Sequence, residues 1–184
     1  MKTNPAWVPV HFKESYDRDV KPIIKHTLYE GPRGPAVAES SGGTHGLRKG
    51  KGVETGRTRV RGDQVPPVDL DCDAGPQDFT LRHGIEGRID GAPLRLVRPR
   101  YGLLPSRRVI HFDLADGRRW VLISSGFARC ELRRKSTDGE PVFDTRRGVA
   151  ANIQPEEVAL VVACESLGSL YLLTKIVGRV FQAI

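Results

Sequence analysis

Residues 152–164 read Asn152-Ile153-Gln154-Pro155-Glu156-Glu157-Val158-Ala159-Leu160-Val161-Val162-Ala163-Cys164, and this stretch decides the fold. It opens like a helix, with a cap candidate at Asn152 or Gln154, a proline in the first turn, and Glu156 and Glu157 facing the positive end of the helix dipole. The seven residues from Val158 to Cys164 then run without a polar group. A helix that is apolar on every side has no face to give to water, so it belongs inside. The rest of the chain has to enclose it.

Material for an enclosure lies just upstream, where the signal from Gln77 to Thr145 is β. Apolar and polar residues alternate in Phe79–His83, Pro93–Arg98, Arg108–Leu114 and Arg119–Ser124. Ala115-Asp116-Gly117-Arg118 sits between the last two of these runs, and an Asp-Gly turn between alternating runs is the strongest short-range hairpin signal. The pattern repeats at Cys130–Arg134, Ser136-Thr137-Asp138-Gly139-Glu140 and Pro141–Asp144, and more faintly around Asp90-Gly91. Arg95, Arg108, Arg118, Arg119, Arg133 and Arg134 suit the wet face or the strand ends of a half-solvated antiparallel sheet. The expected fold class is therefore α+β, mainly antiparallel β. A meandering sheet or barrel encloses the hydrophobic C-terminal helix, with an open α+β sandwich as the alternative. After Gly168-Ser169, Leu170–Ile184 carries an apolar stripe at helical spacing that is core, interface or membrane-facing.

Asp116-Gly117-Arg118-Arg119-Trp120, Asp138-Gly139 and Pro155–Ala163 together give this region a further meaning. Hairpins of this kind before one apolar helix resemble the tubby C-terminal-like group, which includes the phospholipid scramblases and the plant LURP-one-related proteins. The similarity covers about residues 79–173. It implies a closed antiparallel barrel around the helix and a protein that binds a lipid or membrane surface.

Upstream of Pro66-Pro67 the chain reads differently. Between Glu30 and Arg61, glycines and prolines interrupt any periodicity, and the apolar residues there (Ala36, Val37, Ala38, Leu47, Val53, Val60) are small and scattered. Ordering such a segment costs roughly 1–2 kcal/mol per residue with little burial to offset it. Residues 31–68 are therefore expected to be a flexible Gly/Pro-rich basic linker, leaving 69–184 as the β-rich domain. Residues 1–30 are too apolar for ordinary disorder and read as an extended N-terminal docking arm, with an extended piece at Trp7–Phe12 and a short helix over 19–29. Trp7, Phe12, Ile23, Ile24 and Tyr29 are its candidate partner-binding anchors.

Charge supplies the other candidate site. The chain has a formal net charge of +7. Residues 1–68 carry 12 Lys/Arg and 7 Asp/Glu, whereas 69–184 carry 17 and 15. Arg48, Lys49, Lys51, Arg57, Arg59 and Arg61 are the densest cluster and a candidate contact for anionic lipid or nucleic acid. No aromatic residue interleaves them, so base stacking is not offered.

Catalytic patterns are weak. The five histidines lack metal spacing, no G-x-S-x-G frame occurs, and the glycine-rich run 42–51 misses the order of a phosphate loop. Asp69-Leu70-Asp71-Cys72-Asp73 misses a calcium loop by one residue. Three scattered cysteines support neither a disulfide framework nor a zinc site. No apolar run is long enough for a transmembrane span, and no signal-peptide core opens the chain, so a cytoplasmic setting is expected. These readings converge on a non-enzymatic binding or structural protein without metal or cofactor. It is expected to be an assembly component that docks on a protein partner or a second copy through its N-terminal arm. The alternative is a lipid-surface protein of the tubby or scramblase kind.

Overall fold

The computed structural model describes residues 6–20, 24–41, 56–72, 85–97, 109–126 and 129–167. The N-terminal half provides β1 (Trp7–Val8), β2 (His11–Asp17), β3 (Ile24–Glu30), β4 (Ala36–Ser41), β5 (Gly56–Gly62) and β6 (Val65–Cys72). The remainder provides β7 (Ile85–Ile89), β8 (Ala92–Val97), β9 (Val109–Leu114), β10 (Arg119–Gly126), β11 (Arg129–Arg134), β12 (Pro141–Asp144) and β13 (Gly148–Ala150), followed by α1 (Pro155–Leu167). All the strands join one 13-stranded antiparallel meander in which sequence neighbours pair from β2 through to β13. The exception is β1, which pairs with β13 at the opposite edge from β2.

The hairpins expected from sequence are present at Asp90-Gly91, Asp116-Gly117 and Ser136–Glu140. At the tightest of them Asp90 and Gly91 both have left-handed backbone, φ 48° and 76°. That geometry matches the right-handed twist of the flanking strands and asks for a Gly-type residue in second place.

Rolling of the sheet follows from one contact and from the burial of α1. Phe12 on β2 meets Phe143 on β12 edge to face at 6.4 Å, although the two strands lie near opposite ends of the strand order. Inside the roll, Val158 to Cys164 are at most 1% exposed, and successive helix positions point around the whole circle. The sheet therefore surrounds α1. The ladder itself stays open, because β1 and β2 do not pair with each other. They are successive pieces of one segment interrupted at Pro9-Val10, so the covalent chain bridges the two edges. Gly148 permits this approach with φ 93°, where any side chain would meet the Val8 carbonyl.

Two expectations need correction. The stretch read as a linker contributes β4, β5 and the start of β6 in its described residues. Its small residues are an adaptation to the helix: Ala36, Ala38, Ser40, Thr58 and Val60 face inward and are buried, so the strands approach α1 closely. In place of the helix expected over 19–29, the described residues from Ile24 on form β3, and the described part of the arm is the three sheet strands β1, β2 and β3. On β3 the buried positions are Lys25, Thr27 and Tyr29, while Ile24 and Leu28 are only half-buried on the other face. This inverted polarity imitated helical spacing. Phe79–His83, the run 42–51, Asp73 and the stripe at 170–184 lie outside the described residues.

Candidate functional site

The hairpin turns at 31–35, 63–64, 90–91, 115–118 and 135–140 all fall at the end of the sheet where α1 begins. There the β9–β10 turn, Lys135 and the first turn of α1 frame a cleft of about 680 Å³. Trp120 forms its floor and is almost fully buried. Glu157 stands three residues after Gln154 and accepts that residue's backbone N–H at 2.9 Å, one half of a capping box. The same carboxylate accepts Arg134 Nε at 2.6 Å, Arg134 Nη2 at 2.8 Å and Trp120 Nε1 at 3.0 Å. Arg118 donates to Glu156 at 2.5 Å and to Asp116 at 2.7 Å, with its guanidinium 5.8 Å from the centre of the Trp120 ring.

These pairs leave a clear electrostatic signature. Glu157 raises the pKa of the Arg134 guanidinium, and Glu156 followed by Asp116 does the same for Arg118. The backbone N–H and then the guanidinium of Arg118 lower the Asp116 carboxyl. Arg119 is held by Asp113 at 2.5 Å. Every arginine lining the cleft thus has its own carboxylate, and Glu156 and Glu157 already occupy the helix N-terminus as a bound anion would. The cleft is an internal clasp.

The other end of the helix is tied down by the sheet. The last turn of α1 contains no basic residue. Lys25 reaches in from β3 instead, donating to the Ser166 carbonyl at 3.4 Å and pairing with Glu14 at 2.5 Å. Ser40 bonds both Thr58 (2.8 Å) and the Ser166 hydroxyl (2.5 Å), so a polar cluster closes the C-terminal end.

The candidate partner-binding residues do not form one outward patch. Tyr29 is buried, donates to the Pro32 carbonyl at 3.1 Å, and has its pKa pushed up to about 12 by burial. Phe12 lies 5.6 Å from the Tyr29 ring. Trp7 sits under the Arg147 guanidinium at 5.8 Å, and Ile24 is half-buried on β3. Tyr29 and Phe12 contribute to the fold's own packing, while Trp7 and Ile24 are half-buried; Ile23 lies outside the described residues.

Of the anion-binding candidates, Arg57, Arg59 and Arg61 do share the outer face of β5. Asp69 lies within 3.3–4.0 Å of all three and Asp71 within 3.3 Å of Arg57, so strand β6 meets much of their charge. Arg48, Lys49 and Lys51 lie outside the described residues. His26 faces Glu39 at 3.7 Å. Burial and then Arg119 lower the His111 pKa, with Asp113 opposing. No group of three or more His, Cys, Asp or Glu that could hold a metal occurs among the described residues.

What the sequence did not disclose is the edge at β2. One side of β2 pairs with β3 over seven consecutive residues without a bulge. No described strand pairs with the other side. Five of its seven residues are exposed, including Tyr16 at 41%. Lys13 donates to Glu30 at 3.1 Å and Glu14 pairs with Lys25, so two of the strand's three charged side chains, Asp17 being the third, are already engaged. The only sequence signal for this edge was the extended character of residues 7–12; its openness depends on β1 leaving for β13 at Pro9. Compared with known proteins, the chain matches no family model, no curated protein and no solved structure.

Proposed function

We propose that this chain is a non-enzymatic interaction protein, an assembly component that docks on a protein partner through its N-terminal strand. The open side of β2 carries this reading. A regular edge of seven residues, without proline or bulge, offers a row of backbone donors and acceptors to an added strand. The interior is filled by α1, and the arginines of the mouth cleft are matched by carboxylates, so the exterior edge is the better-supported docking surface. A photo-crosslinking residue in place of Ser15, expressed in the native host, tests it. Adducts are expected at position 15 and not at Asp90, which lies in the β7–β8 turn midway along the strand order. Equal or no adducts at the two positions would contradict the reading.

A second reading, docking on an anionic lipid surface, draws on Arg57, Arg59 and Arg61 along one face of β5. Their partial neutralisation by Asp69 and Asp71 ranks it below the first. Cosedimentation with anionic vesicles at physiological salt separates the two, because an edge-docking protein shows little lipid preference.

A further inference from the structure

Resting on that reading of β2, we propose that the segment which docks there is β2 of a second copy, paired antiparallel about a twofold axis through Ser15. The argument is one of register. Antiparallel strands alternate narrow and wide residue pairs, so a twofold axis perpendicular to the sheet must pass through a residue that faces itself. That leaves few choices along His11–Asp17. An axis at Lys13 opposes two ammonium groups, and one at Glu14 opposes two carboxylates. An axis at Phe12 or Tyr16 overlaps only three residues of each strand.

Ser15 remains. There Lys13 faces Asp17 twice and Glu14 faces Tyr16 twice, the Tyr16 hydroxyl already donating to Glu14 of its own chain at 3.3 Å. Just beyond the strand, Arg18 comes opposite Phe12 and Asp19 opposite His11. No like charges meet in this register, and both opposite-charge pairs lie inside the strand, where cross-strand neighbours interact most strongly. Lys13, Ser15, Arg18 and Asp19 are all exposed, so the pairing needs no rearrangement of the core. The two exposed large hydrophobic side chains among the described residues, Tyr16 and Val20, lie next to the axis and just beyond the strand.

Sedimentation of the full chain across a dilution series tests the idea. A dimer that dissociates on dilution is expected. Lys13→Asp and Asp17→Lys should each weaken association by about tenfold or more, and the double exchange K13D/D17K should restore it. Lys13 is exposed and Asp17 half-buried, so melting temperatures of each variant are read alongside, and the double exchange should restore the dimer even if they shift slightly. Ser15→Cys should oxidise to a covalent dimer, whereas Thr137→Cys, in the exposed β11–β12 turn, should not. A monomer at every concentration, or a dimer indifferent to both charge changes and without the Ser15→Cys disulfide, would overturn self-pairing. In either case adducts at position 15 with a different protein would leave the docking reading standing, and their absence would remove it as well.

Discussion

Glu157 is 2% exposed and accepts hydrogen bonds from Arg134, Trp120 and the Gln154 backbone, so the first turn of α1 is fixed to β10 and β11 through one carboxylate. Truncating it leaves the Trp120 N–H without its acceptor and Arg134 with Glu140 and the Asn152 carbonyl. Glu157→Ala should therefore cost about 3 kcal/mol in urea unfolding, with Glu157→Gln recovering part of it. A loss under about 1 kcal/mol would show that the clasp is dispensable. Asp144 supplies the pH dependence. Burial alone raises its pKa, but Arg129 and the N–H groups of Arg146 and Arg147 outweigh burial and hold the carboxyl below its usual range. A depressed native pKa adds stability that is present above about pH 4 and is lost as pH falls through the native value. Asp144→Asn should cost about 2 kcal/mol at pH 7 and distinctly less near pH 2. A penalty equal at both pH values would contradict the assignment.

Among the elements, those that bury large side chains on one face were legible in the sequence, and those that pack close to the helix were not. β9, β10 and α1 announced themselves through Ile110, Phe112, Leu122 and the run 158–164. β4 presents Ala36, Ala38 and Ser40 to α1, a pattern that in isolation looks like a segment with nothing to bury. The same closeness makes β4 intolerant of bulk. Ala38→Leu should destabilise the fold by about 1–3 kcal/mol through overpacking against α1, measurable as a lowered melting temperature. Unchanged or increased stability would mean that the small residues do not set the strand-to-helix distance. β3 was misread for a related reason. Lys25 points inward because the C-terminal carbonyls of α1 need a cation that the helix itself lacks, and that need is invisible until helix and strand are seen together.

For the whole molecule, the decisive feature is that β1 and β2 are one segment serving both edges of a rolled sheet. β1 is only two residues long, and beyond it the β13 edge has no described neighbour while β2 runs on alone. The candidate site arises from that geometry, which explains why neither the aromatic anchors nor the arginine cluster, both legible in the sequence, located it. The central claim is that the N-terminal third is part of the sheet around α1. Residue-resolved amide hydrogen exchange on the full chain tests this most directly. Interior amides of β4 and β5 should exchange as slowly as those of residues 158–164, through global unfolding, while amides on the open side of β2 exchange fast in the dilute protein. Near-unprotected exchange across 36–41 and 57–62, with 109–167 still protected, would contradict the account.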